Sequence, residues 1–355
     1  MTRKIRKLQQ PKDAKEGAPI AHQTQPEGDL GATQAEISRR YPLGIDARRR
    51  RELEFAVRKL GSSSLWHVLL DIIYTYAALL GAGAACATAI RAAHALMGAG
   101  PGFLAVAVFA YAVTAIIIGR QQRVLELMVH DASHGGWIRG RRARSSRLAN
   151  LLVAIPVMST VQRYWQSHVE HHSNFGDPSR DPCRQRFMQI DGAMANGGVL
   201  QRMMAIAGAL PAYMANYYSE IGSKNSRVLV AWVIWHAAVV VALDQFLVHD
   251  LLAALLMWLG FWLTPALSTL PTIRMIAERE EHDYQRSSSE LGATYTNRGF
   301  WHRWLIHPWN DDFHWIHHAF PTVLQRDHRR VHKFLLRVAP EYRNSLHRTR
   351  LFQRL

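Results

Sequence analysis

The chain has 355 residues, a formal net charge of +16 and hydrophobic side chains at 48% of its positions. Its two cysteines, Cys86 and Cys183, exclude a disulfide framework and provide no C-x-x-C pair for zinc or redox chemistry. The positive charge alone permits a nucleic-acid-binding protein. However, long uncharged runs alternate with segments dense in Arg and Lys, and this distribution favours a membrane protein that binds no nucleic acid.

The N-terminal segment is polar. Residues 1–40 are rich in Gln, Pro, Gly, Lys and Glu, which predicts a disordered tail. The run Arg48 to Arg51 then leads into ELEFAVRKL, which permits either a basic amphipathic helix on an anionic membrane surface or a solvated charge run. Because this segment contains no apolar core, we expect no cleavable signal peptide. We predict a tail at residues 1–60, a membrane domain at 61–340 and a basic C-terminal tail at 341–355.

Four apolar segments are long enough to cross a bilayer. Residues 65–90 contain no Lys, Arg or Glu, and residues 102–119 contain no charged side chain. Each is close to the roughly 20 residues that a membrane-spanning helix needs. Residues 228–270 also lack Lys and Arg and are long enough for two helices around a turn at 249–250. The pattern predicts an all-α integral membrane protein with four transmembrane helices in two hairpins.

Basic residues predict the orientation, because cytoplasmic loops retain Lys and Arg. The two predicted outer loops, residues 91–101 and 249–250, contain one of the 43 basic residues, Arg91. Both termini and the polar segments between the hairpins are therefore expected in the cytoplasm, where they form a helical cap. Two shorter apolar stretches, 148–158 and 199–214, favour interfacial or capping helices, with a fifth and sixth span as the alternative.

Three short segments concentrate histidine: HDASH at 130–134, HVEHH at 168–172 and HWIHH at 314–318. On a helix, residues three or four positions apart share a face, so the imidazoles of each segment converge. A single histidine is more often a hydrogen-bonded core or surface residue than a metal ligand, but eight at helical spacing are hard to explain in that way. The eight candidate ligands are His130, His134, His168, His171, His172, His314, His317 and His318.

A nitrogen-rich ligand set suits zinc, copper, iron or nickel. A structural zinc site closes with four ligands, so eight histidines fit two metals with open positions better. Nine other histidines lack partners at ligand spacing or lie in basic polar sequence, which for His332 and His347 is expected to be solvated, and we expect none of the nine to bind metal. They are His67, His94, His236, His249, His302, His307, His328, His332 and His347.

The segments HDASHG, HVEHH and HWIHHAFP resemble the three histidine boxes of the membrane fatty-acid desaturase and hydroxylase superfamily, over roughly residues 65–335. That resemblance implies two irons that activate dioxygen and one further histidine ligand after the last span. TIRMIAEREEHDY is similar to the family's Arg…Glu-His element, so the resemblance assigns the extra ligand to His282. Glu281 and Asn310 are the expected supporting or water-holding groups.

The resemblance implies an O2-dependent desaturase of a fatty-acyl or related lipid chain, of the bacterial acyl-lipid type. GDPSRDP at 176–182 also resembles bacterial relatives that act on carotenoids and small amino-acid-derived molecules. The boxes do not distinguish desaturation from hydroxylation, so a hydroxylase or ketolase on the same scaffold is the alternative. A non-catalytic membrane metal-binding protein is a third class, which the position of the clusters outside the spans disfavours.

The chain shows no haem-binding His-Pro-Gly-Gly motif, no iron–sulfur cysteine set and no dinucleotide glycine fingerprint. A separate electron donor is therefore expected, either ferredoxin or a cytochrome b5-like protein with its reductase. Such donors are commonly acidic, which suits a basic cytoplasmic face. Substrate choice is expected to depend on residues that line the spans and on the segment 176–225.

Overall fold

A computed structural model describes residues 47–61, 63–138, 140–222, 226–287, 289–351 and 353. The predicted disordered segment 1–40 lies outside these residues. The described chain is mostly helical. In chain order, the α-helices are α1 Ala47–Leu60, α2 Leu65–Met97, α3 Pro101–Ser133, α4 Arg142–Ala149, α5 Val161–Ser173, α6 Pro182–Phe187, α7 Asp191–Asn196, α8 Val199–Gly222, α9 Ser226–Leu243, α10 Leu251–Trp258, α11 Thr264–Leu267, α12 Thr269–Glu281, α13 Glu290–Ala293, α14 His314–Ala319, α15 His328–Val338 and α16 Pro340–Arg343.

Four helical segments of the described chain are long and apolar enough to cross a membrane. They are Leu65–Met97, Pro101–Ser133, Ser226–Val248 and Leu251–Glu281. The third joins α9 to a π-helical turn, and the fourth runs from α10 through α12. Large apolar side chains such as Phe109, which is 72% exposed, point outward from these helices. Outward apolar surface of this extent is typical of a lipid-facing protein.

The prediction of a loop at 91–101 is wrong in its extent. Helix α2 continues to Met97, because the residues from 91 onward, RAAHALM, are mostly good helix formers. Gly98 then ends the helix with a φ of +65°, a conformation that glycine adopts without steric cost. Pro101 begins α3 only three residues later.

The contact between α3 and α12 determines where their C-terminal ends lie. The Thr269 hydroxyl donates to the Ala115 carbonyl at 2.8 Å, and the backbone at Gly119 leaves no room for a Cβ beside Thr269. Further along, Arg274 lies 3.5 Å from Glu126. The two helices therefore run in the same direction, and their last turns end on the same side of the molecule.

Two short strands add a small sheet to the helices, so the all-α prediction is incomplete. Strand β1, Tyr295–Asn297, pairs in parallel with β2, Leu346–Arg348. Arg348 is buried, where its guanidinium stacks 3.5 Å from the centre of the Tyr295 ring and bonds to Glu280. Residues assigned to a C-terminal tail thus belong to the folded unit.

Helix α1 packs onto the C-terminal part of the chain. Leu53 and Val57 are buried in a cluster with Trp315 and Tyr342. The basic side of α1 faces outward, with the Arg48 side chain 85% exposed. The segment proposed to lie on a membrane surface thus buries its apolar face within the protein.

Candidate metal centre

Five imidazoles meet where α3, α5 and α14 converge; we call them the first group. His130 lies on the last turn of α3, His134 follows it, His168 and His172 lie on α5, and His317 lies on α14. The Nε2 atom of His168 is 2.9 Å from that of His134, 3.1 Å from those of His130 and His172, and 3.2 Å from that of His317. The Nε2 atom of His317 is also 3.0 Å from those of His130 and His172.

Hydrogen bonding cannot account for this arrangement. A neutral imidazole carries one proton on its two nitrogens, so the Nε2 atom of His168 cannot be hydrogen-bonded to four neighbouring Nε2 atoms at once. Nitrogens bound at right angles around a metal at about 2.1 Å are separated by about 3 Å, which matches the observed spacing. The donor set therefore fits a cation at the point of convergence.

The second group consists of His171, His282, His314 and His318. The Nε2 atom of His314 lies 3.2 Å from that of His282 and 3.0 Å from that of His318. Ligand atoms of His171, His282 and His318 all lie within 4.8 Å of one another. His282 reaches the group because it directly follows α12, whose last turn lies beside that of α3.

Glu281 lies beside the second group. Its carboxylate is buried, and Oε2 is 3.5 Å from the Nε2 atom of His314. Glu281, His282 and His314 also form a cluster of potential metal ligands. The structure thus brings all nine predicted histidines together, arranged as five and four, and the role of these side chains as ligands remains a prediction.

Asp181 supports the second group, and sequence reasoning missed it. Its fully buried Oδ1 lies 2.9 Å from His171 Nδ1, which directs the opposite ring nitrogen toward the group. Backbone N–H groups of Gly176, Cys183 and Arg184 donate to the same carboxylate. Burial raises the pKa of Asp181, but the hydrogen bonds from His171 and the backbone outweigh it and lower that pKa. In the sequence, the Asp-Pro pair at 181–182 indicates the start of a helix. It does not indicate the hydrogen bond between Asp181 and His171.

Glu290 connects the two groups. One oxygen, Oε1, accepts from His172 Nδ1 at 3.0 Å and from His318 Nδ1 at 2.6 Å. Thr294, one turn further on, places its hydroxyl 3.1 Å from His282 Nδ1. Partners of this kind orient metal-binding imidazoles and raise their basicity.

Burial favours the neutral imidazole, which is the form that binds metal. Burial lowers the pKa of His134 to about 3 and holds the pKa values of His168 and His317 well below their usual range. Burial also lowers the pKa of His282, in the second group. His171 is different, because the effects of Cys183 and Asp181 on its pKa exceed that of burial and raise it.

Other predicted residues have different surroundings. Asn310, expected to support the metal site, donates instead to the backbone carbonyls of Gln325 and Arg326. His332, expected on a solvated stretch, is buried beside the Tyr342 hydroxyl at 2.6 Å. His347 is half-buried and contacts the Tyr342 carbonyl. The prediction of an exposed position is wrong for His332, because α15 turns that side chain toward the core.

Four further histidines that we expected not to bind metal contact partners outside the two groups. His307 lies against Asp311, and His302 against the Arg350 carbonyl. His328 contacts the Val323 carbonyl, and His236 contacts the Pro156 carbonyl within the apolar helices.

The chain belongs to the fatty acid desaturase family, whose model matches residues 101–350. It is also similar to dihydrorhizobitoxine desaturase of Bradyrhizobium elkanii, with 26% identity over 251 residues. The match covers 62% of this chain and 66% of that relative, slightly less than two thirds of its length. The matched family region contains all nine histidines of the two groups.

Proposed function

We propose that the protein is an O2-dependent di-iron desaturase, which introduces a carbon–carbon double bond into its substrate. The convergence of nine imidazoles into two adjacent groups is the observation that carries this proposal. Iron fits the donor set, because imidazole with carboxylate support is typical of iron and other first-row metals. Zinc fits the donors but has no redox chemistry.

Two bound irons supply the oxidising chemistry that side chains lack, by which dioxygen removes hydrogen from an unactivated C–H bond. The reaction breaks one C–H bond on each of two neighbouring carbons and forms the double bond between them. Dioxygen accepts two electrons from the substrate and two from a donor protein and leaves as two water molecules, with two protons taken from solvent.

The chain's own residues hold and orient the site. Asp181, Thr294 and Glu290 fix the ring orientation of their imidazole partners, so the ligand set is formed before substrate binds. Burial of seven of the nine rings keeps water from most of the site. Exclusion of water protects a strongly oxidising centre from side reactions.

For the membrane arrangement, we propose two hairpins, one formed by α2 and α3 and the other by the third and fourth apolar segments. Both termini and the histidine groups then lie in the cytoplasm, and the desaturase unit comprises residues 61–340 together with α1 and β2. The scarcity of Lys and Arg in the outer turns supports this orientation. A cysteine introduced at Ser179 is expected to react with an impermeant reagent only from the cytoplasmic side, and labelling from outside would contradict the orientation.

An acidic electron donor, such as a ferredoxin or a cytochrome b5-like protein, is proposed to dock on α4. This helix exposes Arg142, Arg144 and Arg147. The Arg142 guanidinium lies 4.2 Å from the centre of the Trp165 ring, and the Trp165 ring centre is 5.4 Å from that of His134. The basic surface is thus one aromatic ring away from the first group, which supports electron entry at this face.

Product analysis tests the reaction type. Extracts of cells that naturally contain the protein are compared with those of a deletion strain complemented with either the wild-type chain or His317→Ala. We expect a product lighter than its substrate by two hydrogens, present only with the wild-type chain. A product heavier by one oxygen would instead indicate a hydroxylase on the same scaffold. Identical extracts from all strains would contradict an enzymatic role.

A further inference from the structure

Three large aromatic side chains lie exposed together outside the four apolar helical segments; we call them the aromatic cluster. They are Phe300, Trp301 and Trp304, and each is between 53% and 68% exposed. The rings of Phe300 and Trp304 are nearly parallel, with centres 6.3 Å apart, and the Trp301 ring centre lies 5.1 Å from that of Phe300. Contiguous apolar surface of this kind marks a site of contact with a membrane or another protein.

The local backbone holds the aromatic cluster outward. In the π-helical turn His302–Ile306, the two end residues are buried, whereas Trp304 between them is exposed. On the other side of Trp301, the backbone at Gly299 lies so close to Thr349 that it leaves no room for a Cβ. The turn is thus packed against the protein from behind, and the aromatic cluster is a formed surface of the folded chain.

Arg120 fixes the level of the aromatic cluster relative to the spans. It is the first charged residue after the uncharged run at 102–119 of α3. At 1.5 Å per residue this run is about 27 Å long, close to the roughly 30 Å of hydrocarbon in a bilayer. Arg120 donates to the Trp304 carbonyl and, at 3.3 Å, to the Arg303 carbonyl. The aromatic cluster therefore lies level with the edge of the hydrocarbon, at the end of α3 that carries the histidines.

The outward side of α3 leads directly to the aromatic cluster. Val113 and Ile116 are exposed, and their spacing of three and then four residues from Arg120 places all three on one helix face. The apolar part of this face ends at Arg120, and the aromatic cluster continues it beyond that residue. The surface that faces lipid on the span thus extends onto a segment outside the span.

Basic side chains border the aromatic cluster. Arg298 is exposed directly before it, and Arg303 is exposed within it, 3.4 Å from the buried carboxylate of Asp312. Together with Arg120, these side chains leave the border of the cluster positively charged. Guanidinium groups bind phosphate oxygens in paired hydrogen bonds, and tryptophan is enriched at the level of lipid headgroups. Phospholipid therefore complements both the rings and their charged border.

We infer that the aromatic cluster is a membrane anchor, which inserts its three rings into the leaflet on the side of the histidine groups while Arg298 and Arg303 bind phospholipid phosphates. Surfaces that lie in the membrane plane typically reach about 5–10 Å into the headgroup region. The anchored turn continues into Pro308–Phe313 and then α14, so it fixes the level of the third histidine segment above the membrane. This attachment does not depend on the reaction that the metal centre performs.

Footprinting of the full-length protein tests the anchor in nanodiscs of phosphatidylcholine and phosphatidylglycerol. Hydroxyl radicals oxidise aromatic rings that water reaches, and a phospholipid with a diazirine on its acyl chain labels side chains that lipid reaches. Trypsin releases GFWHR, residues 299–303, which contains two rings of the aromatic cluster. It also releases ELEFAVR, residues 52–58, which contains the exposed Phe55 of α1 and is the matched comparison.

We expect the lipid probe to label GFWHR, and hydroxyl radicals to oxidise it about tenfold more slowly than ELEFAVR. The exposed fractions of Phe300 and Phe55 in the protein itself are similar, at 68% and 76%, so lipid has to account for the difference. Oxidation of GFWHR as fast as ELEFAVR would overturn the anchor. Protection of GFWHR without lipid labelling would also overturn it, and would assign the aromatic cluster to a contact with another protein or a second copy of this chain.

A double variant, Trp301→Ser with Trp304→Ser, tests whether the tryptophans drive insertion. Phe300 should then lose its lipid label and become oxidised, because one ring alone gives little apolar surface to insert. Phe55→Ser, which also replaces an exposed ring, is the matched control and should leave the labelling of Phe300 unchanged. Size-exclusion chromatography checks that the variants stay folded. A folded double variant in which Phe300 is still labelled by lipid would overturn the role of the tryptophans.

Discussion

The two imidazole groups differ in how their rings are held. In the second group, His171 bonds to the buried carboxylate of Asp181, and a further carboxylate, Glu281, lies beside His314. In the first group, the side chain nearest to His130 Nδ1 is the neutral amide of Gln325, at 3.2 Å, and the buried carboxylate of Asp131 lies further away, at 3.7 Å, beyond hydrogen-bond distance. Among the residues that the structure describes, Glu290 is the one whose carboxylate contacts imidazoles of both groups. Carboxylate partners make imidazoles stronger ligands, so the second group is expected to bind its metal more tightly.

Loss of a ligand from either group is the largest expected effect. His317→Ala removes a nitrogen from the first group and His282→Ala removes one from the second, and turnover should fall to background in both. Each variant should keep about one of about two irons per chain, because the other group stays complete. Iron analysis measures the retained metal, and product formation measures the turnover.

The matched control for both ligand variants is His347→Ala, which should retain its iron because His347 contacts the Tyr342 carbonyl instead of the groups. Normal iron and turnover in His282→Ala would mean that the second group does not need this histidine.

Substitution of the carboxylates that orient the rings should change the metal affinities of the two groups to different extents. Asp181→Asn is expected to weaken the metal affinity of the second group by about 10- to 100-fold, because His171 loses its charged partner. Glu290→Gln should weaken both groups, because its oxygen contacts His172 and His318. Competition with a chelator measures both affinities, and equal weakening of the two groups by Asp181→Asn would contradict the division.

The proposed donor surface on α4 lies beside the first group, next to Trp165 and His134. Reversing two charges on α4, with Arg144→Glu and Arg147→Glu together, should lower kcat/KM for an acidic donor by about tenfold at low salt. The difference should shrink as salt screens the charges. Arg337→Glu is the control, and an effect that does not depend on ionic strength would argue against docking at this face.

The smallest expected effect lies outside both groups. His332→Ala removes a buried partner of the Tyr342 hydroxyl, so the free energy of unfolding should fall by about 1–3 kcal/mol. Iron per folded chain should stay unchanged. Thermal unfolding of the detergent-solubilised protein measures the loss of stability, and iron analysis measures the metal content. Loss of iron from folded protein would place His332 among the residues that support the metal.

Local periodicity explains what the sequence could predict. Four apolar runs of sufficient length predicted the four candidate membrane helices, which the structure contains. Spacing of three and four residues placed His168, His171 and His172 on a helix, and α5 is that helix. Within α5, however, the rings divide between the groups, since His171 points to one and His172 to the other. Spacing alone does not distinguish these directions.

Partners far apart in the chain were beyond such reasoning. Glu290 lies 118 residues from His172, and the pairing of β1 with β2 joins residues about fifty positions apart. These contacts depend on how the helices pack, and no periodic pattern in the sequence indicates them. The burial of His332 escaped prediction for the same reason, because basic neighbours such as Arg329 and Arg330 suggested a solvated stretch.

The central claim is that the nine imidazoles form two metal sites, and iron analysis of the full-length protein tests it most directly. Protein purified without oxygen should contain about two irons per chain, and iron X-ray absorption should show nitrogen and oxygen ligands without sulfur. Turnover should rise in proportion to iron content. Full activity with less than about one iron per chain, and no other redox metal, would contradict the account.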